Sequence, residues 1–120
     1  MTVDLDGKVV RGVDLRNTAF ANCWKDLPGK VQDEAREVIR SLLFMNLDQA
    51  PKKLHLHPLT NRKAPSVFDA AKKVAVWSLH ITADDNYKAS FTYEDGVLFF
   101  RTCGKHDDVD KRPWEGLHNA

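Results

Sequence analysis

Three β-rich segments in the second half of the chain, Val74 to Thr82, Tyr87 to Glu94 and Val97 to Cys103, constrain its fold more than any other feature. Their β-branched and aromatic residues suit a pleated, half-buried surface. Ala83-Asp84-Asp85-Asn86 separates the first two, and Asp95-Gly96 separates the last two. Asp-Gly is a favoured two-residue hairpin turn, because both central positions need positive φ. Turn length fixes register, and register decides which side chains share a face. A two-residue turn at Asp95-Gly96 pairs Glu94 with Val97 and Phe91 with Phe100, and opposes Ser90 to Arg101 and Lys88 to Cys103. A three-residue loop at Asp84-Asp85-Asn86 opposes Thr82 to Lys88 and His80 to Ser90. One face then collects Leu79, Ile81, Ala89, Phe91, Tyr93, Leu98 and Phe100 as core. The other collects Ser78, His80, Lys88, Ser90 and Arg101, a polar surface that sheet twist makes concave.

The first half supplies what covers the apolar face. Val9 to Leu15 reads as a first strand after a loose tail. Asn17 or Thr18 can cap a short helix bearing Phe20, Cys23, Trp24 and Leu27 at helical spacing. Pro28-Gly29 breaks it, and Val31, Ala35, Val38, Ile39 and Leu42 form the apolar stripe of a second helix ending near Asn46. Leu54-His55-Leu56-His57 alternates as a first sheet strand, Thr60 to Ser66 reads as an exposed loop, and Val67 to Lys73 fits a helical turn or an early strand. The expected fold class is α+β: two N-terminal helices packed on one face of a twisted antiparallel sheet of about four strands. Residues 1–120 form a single domain in this reading, with loose tails at 1–8 and 107–120, the latter because Asp107 to Pro113 is too polar to pack.

Composition excludes several classes. With 42% hydrophobic and 29% charged residues the chain is globular rather than disordered. No apolar run approaches the roughly 20 residues that span a bilayer, and the acidic start Met1 to Asp6 is no secretory leader, so a cytoplasmic location without membrane contact is expected. Cys23 and Cys103 lack a metal-ligand spacing and are expected to be reduced, small hydrophobes. The net charge of +1 conceals a basic stretch at residues 51–73, where Lys52, Lys53, Arg62, Lys63, Lys72 and Lys73 face only Asp69. Such a stretch is either a solvated lysine-rich loop or a patch that attracts a polyanion. Gly-x-Ser-x-Gly and Gly-x-x-x-x-Gly-Lys are both absent, which sets aside hydrolases of the nucleophile-elbow type and phosphate-loop enzymes.

Histidine changes charge near neutral pH, which makes the five histidines the candidates for chemistry. His55 and His57 share a face of the expected first sheet strand, His80 lies on the polar face, His106 follows the last strand, and His118 sits in the tail. An i, i+2 pair such as His55 and His57 can chelate a metal with His106 as third donor, yet no compact metal motif is present, and polar strand positions facing water explain the pattern as well. Neither metal nor cofactor is expected. Cleaving RNA requires a base for the 2′-hydroxyl, an acid for the leaving 5′-oxygen and cations around the phosphorane. Histidine, lysine and arginine supply these without a metal; a phosphate-binding surface with no chemistry is the alternative.

The order of pieces carries a resemblance. Two helices precede Lys53-Leu54-His55-Leu56-His57-Pro58-Leu59, then Val76-Trp77-Ser78-Leu79-His80-Ile81, Tyr87-Lys88, and Arg101-Thr102-Cys103-Gly104-Lys105-His106-Asp107. Over about Asn17 to Asp108 this resembles the RelE/ParE superfamily of bacterial toxins, in particular its ribosome-dependent, messenger-RNA-cleaving branch. The resemblance implies a toxin of a type II toxin–antitoxin system, a metal-independent endoribonuclease (mRNA interferase) acting on mRNA at the ribosome and neutralised by an antitoxin. It implies His106 as acid or base, Arg101 as a phosphate ligand, and His55 and His57 as further catalytic candidates. Lys53, Arg62, Lys63, His80 and Lys88 are the corresponding candidates for substrate binding. A non-catalytic member of the same fold, such as a DNA gyrase inhibitor, is the alternative.

Overall fold

The computed structural model describes residues 8–111. In chain order it contains β1 (Gly12–Asp14), α1 (Thr18–Lys25), α2 (Gly29–Ser41), β2 (His57–Pro65), β3 (Lys73–His80), β4 (Tyr87–Glu94), β5 (Val97–Lys105) and α3 (His106–Lys111), with 3-10 turns at Leu47–Gln49 and Lys52–Leu54.

Helix α1 starts where the Asn17 side chain accepts a hydrogen bond from the Phe20 backbone N–H at 3.0 Å, satisfying one of the orphan donors of the first turn. Helix α2 follows Pro28 and has no side-chain cap. Its first turn is instead tied to α1, with Gln32 Nε2 donating to the Trp24 carbonyl at 2.8 Å, and further along the helix the Arg36 guanidinium lies 5.5 Å over the Trp24 ring. Phe20, Leu27, Ala35, Ile39 and Leu42 join Leu79, Ile81, Ala89, Phe91, Leu98, Phe100 and Cys103 in one buried cluster. At about 25 cal/mol per Å² of apolar surface removed from water, that cluster dominates the stability of a domain this small. No helix among the described residues is long and apolar enough to cross a membrane.

The sheet has five strands in the order β1-β5-β4-β3-β2. It is mixed, because β1 pairs with β5 in parallel, Gly12 opposite Val97. This corrects the expected antiparallel sheet of about four strands. β1 lies inside the expected first strand, Val9 to Leu15, and what no local pattern announces is its parallel docking against β5, near the other end of the chain. A third helix is also added: α3 covers the residues expected as a loose tail from 107 onward, and Val109 is 2% exposed. One apolar residue in a polar run suffices to seat a single turn against the sheet. At the other end, Lys8 belongs to the fold, its carbonyl accepting from the Leu47 N–H at 3.0 Å. The remaining tail residues, 1–7 and 112–120, lie outside the described residues, and so does His118.

The strand β2 is displaced from its expected position. It spans His57–Pro65, so the stretch from Thr60 read as a loop is largely strand, and His55 lies before it. Pro58 and Pro65 disguise it, yet an edge strand tolerates proline, and the register shifts between Pro58 and Lys63. The segment Lys52–Leu54 instead forms a 3-10 turn ending at His55 in the left-handed conformation, φ 47°.

The β4–β5 hairpin has the expected turn, with Glu94 opposite Val97 and Phe91 opposite Phe100. A bulge then inserts Arg101, so Ser90 opposes Thr102 rather than Arg101, and Lys88 opposes Gly104 rather than Cys103. The β3–β4 connection is longer than three residues, placing His80 opposite Lys88 and Ser78 opposite Ser90. The seven expected core residues still face the helices, six in the buried cluster and Tyr93 packed against it. The bulge adds Cys103 to that face.

Candidate functional site: a histidine cluster at one end of the sheet

The polar face of the sheet is not open along its length. Ser78, Ser90, Thr92, Glu94, Arg101 and Thr102 are all buried, and the β2–β3 connection folds over the Glu94 and Arg101 end. Arg101 is 2% exposed. Its Nη2 donates to Thr92 Oγ1 at 2.8 Å and to the Pro65 carbonyl at 3.0 Å, and lies 3.3 Å from Glu94 Oε2. Glu94 in turn accepts from the Ser66 hydroxyl and, at 3.3 Å, from the Val67 N–H. Desolvation pulls the Arg101 guanidinium below its ordinary pKa, and Glu94 opposes that shift. The arginine expected to hold phosphate is thus an internal strut that locks the β2–β3 connection to the sheet.

At the other end the polar face reaches solvent, and there three imidazoles meet. His80 closes β3 and is 7% exposed. Its Nδ1 lies 2.8 Å from Asp85 Oδ1. An ionised carboxylate only accepts, so Nδ1 is the protonated nitrogen and Nε2 keeps its lone pair. The His55 ring stacks on His80, centroids 4.2 Å apart and planes at 20°. Its Nε2 is 3.8 Å from the same Asp85 oxygen. His106 opens α3 and presents its ring edge-on to His80 at 5.2 Å and 76°. Its backbone N–H donates to the Asn86 carbonyl at 2.9 Å, and its Nδ1 lies 3.5 Å from Asp107 Oδ1.

Electrostatics follow from this packing. Burial lowers the His80 pKa first of all; the Asp85 hydrogen bond opposes the shift, and the neighbouring His55 and His106 add to it. Burial thus favours the neutral form of His80, which is set between two more exposed rings. Asp85 reaches it from the β3–β4 turn with φ 64°. Asp84 shapes that turn by accepting from the Thr82 hydroxyl at 2.6 Å and the Asn86 N–H at 3.0 Å. The Ala83 N–H donates to Glu34 of α2 at 2.6 Å, tying the turn to the helical layer.

The other expected site residues distribute unevenly. Lys88 stands opposite His80 in the strand register and is 3% exposed. Lys53 is exposed in the 3-10 turn that delivers His55. His57 is exposed opposite Ser78, two residues from His80 along β3, with Nδ1 3.1 Å from the Pro58 carbonyl. Arg62 and Lys63 are exposed on β2; Lys63 opposes Ala75, roughly 17 Å along β3 from His80 at about 3.3 Å per residue. Sequence reasoning misses Asp85, which reads as turn chemistry only. Its position five residues after a polar-face histidine, within a run of two aspartates, is the available signal.

The sequence matches no protein-family model and no curated protein. A structural match is to a chain of the archaeal RelE–RelB complex from Pyrococcus horikoshii OT3, with a TM-score of 0.52, covering 82% of this chain and 96% of that one at 11% identity. This likeness shows a RelE-like fold, the fold expected from the order of motifs.

Proposed function

We propose that the chain is the toxin of a toxin–antitoxin pair and a metal-independent endoribonuclease that cleaves mRNA at the ribosome. The observation that carries this reading is the convergence of His55, His80 and His106 at the exposed end of an otherwise buried polar sheet face. Transesterification of RNA needs one nitrogen to take the 2′-hydroxyl proton and another to protonate the leaving 5′-oxygen. His106, 39% exposed at its side chain, and His55, 51% exposed, flank buried His80 and can reach a substrate that His80 cannot. His80 positions both rings, and Asp85 fixes its tautomer. Lys53, exposed two residues before His55, supplies positive charge for the phosphorane, and Lys88, buried opposite His80, adds only to the field of the site. The RelE–RelB assembly of the structural match supports a protein antitoxin as partner.

The test is cleavage of a ribosome-bound mRNA in the presence of chelator, giving a 2′,3′-cyclic phosphate and a 5′-hydroxyl. His106→Ala should lower the rate about 10²–10⁴-fold with the fold retained, the usual contribution of a general acid or base. Growth arrest that persists in His106→Ala with mRNA intact would overturn the nuclease reading. One observation favours the non-catalytic alternative, a binder such as a gyrase inhibitor: Arg101 is sequestered by Glu94 and presents no guanidinium to a phosphate.

A further inference from the structure

We propose that His55, His80 and Asp85 form a binding site for a borderline divalent cation of the Zn²⁺ type. One donor atom from each of these residues lies within 4.8 Å of the other two. A tetrahedral Zn²⁺ with bonds of 2.0–2.2 Å holds its donors roughly 3.3–3.5 Å apart. The His80–Asp85 contact at 2.8 Å and the His55–Asp85 contact at 3.8 Å straddle that spacing, so shifts of about half an ångström bring both into range.

The donor types select the ion. Two imidazole nitrogens and one carboxylate oxygen match the three-ligand set that leaves a fourth zinc position for water. Ca²⁺ and Mg²⁺ prefer all-oxygen shells of six or more ligands and are poorly served here. Binding at His80 Nδ1 moves that ring's proton to Nε2, and the Asp85 carboxylate then bonds the ion instead of the N–H.

The setting combines a fixed ligand with two that can adjust. His80 is buried between the rings of His55 and His106, whereas the side chains of His55 and Asp85 are 51% and 61% exposed. Those two can swing by a side-chain rotation, and their exposure gives the ion a path from solvent. Both also sit at positive φ, 47° and 64°, a backbone conformation that side chains other than asparagine, aspartate and histidine seldom adopt. Here the donors of both residues lie close to His80 and to each other.

This inference goes beyond the proposed nuclease and stands whether or not the chain cleaves RNA. If it does, a bound cation takes the His55 nitrogen that acid–base chemistry needs, and the ion acts as an inhibitor.

The experiment titrates Zn²⁺, and separately Co²⁺, into the purified full chain near neutral pH, reading stoichiometry by calorimetry and coordination by the visible absorption of Co²⁺. One ion per chain is expected, with the intense bands of a four- or five-coordinate site and a raised thermal midpoint. His55→Ala, His55→Gln and Asp85→Asn should each weaken binding at least about ten-fold. His57→Ala and His118→Ala should leave it unchanged. Every altered position is exposed or outside the described residues, and circular dichroism of the metal-free variants checks that the fold is kept. Wild-type binding no tighter than that of a His55→Ala, Asp85→Asn double variant would overturn the site. So would a loss in His57→Ala or His118→Ala equal to that in His55→Ala, which would assign the ion to those histidines instead.

Discussion

Replacing Arg101 with alanine should cost this protein more stability than any exposed substitution. The side chain is 2% exposed, and it holds Thr92, the Pro65 carbonyl and Glu94 together. Its removal leaves the Glu94 carboxylate, 6% exposed at the side chain, without its counter-charge. Breaking a buried pair from one side costs about 3–5 kcal/mol, chiefly because the surviving charge stays desolvated. For a domain of this size that lowers the thermal midpoint by roughly 10–25 °C. The double variant Arg101→Ala, Glu94→Gln removes both charges, and the new amide oxygen can still accept from Ser66. It should therefore recover part of the loss, a coupling of about 0.5–3 kcal/mol. Thermal and urea unfolding of the four proteins in a cycle measures this directly, and limited proteolysis around residues 66–72 reports the released connection. An Arg101→Ala midpoint within about 5 °C of wild type, or strictly additive single losses, would refute the strut role. The functional corollary is that inactivity of Arg101→Ala says nothing about phosphate contact unless the variant is assayed while folded.

Two further expectations concern buried groups. Cys103 is 5% exposed, and burial pushes its thiol well above the ordinary range, so native protein should show no reaction of Cys103 with a thiol reagent until it is denatured; labelling at Cys103 in native protein, read by peptide mapping, would contradict the packing. Ser78 Oγ is buried without a hydrogen-bond partner among the described residues, so Ser78→Ala should be neutral or stabilising by up to about 1 kcal/mol in urea unfolding, whereas a loss above about 1 kcal/mol would reveal a partner for that hydroxyl.

What was legible in the sequence was what local chemistry encodes. The Asp95-Gly96 turn sets one end of the β4–β5 register, and period-2 alternation sorts Leu79, Ile81, Ala89, Phe91, Leu98 and Phe100 onto the core face. The misreadings have identifiable physical origins. A bulge at Arg101 shifts every pairing beyond it by one, and the shift turns Cys103 inward and brings Gly104 opposite Lys88. Two prolines disguise an edge strand, and the parallel pairing of β1 with β5 joins segments more than eighty residues apart.

The candidate site was legible by residue type but not by partnership. Alternation pairs His55 with His57 on a strand, whereas His55 lies before β2 in a left-handed conformation, with its ring stacked on His80. Asp85 reaches His80 only because the β3–β4 connection is longer than a three-residue loop and places a second residue at positive φ. Both misassignments come from assuming regular backbone where the chain departs from it. The register alone already points His55 at His80, since extending the His57–Ser78 pairing by two residues sets the two histidines opposite each other; what the irregular backbone adds is Asp85. For this protein the β2–β3 register and the irregular β3–β4 turn together locate the chemistry, and variants at His55 and Asp85 are more informative than variants at Arg101.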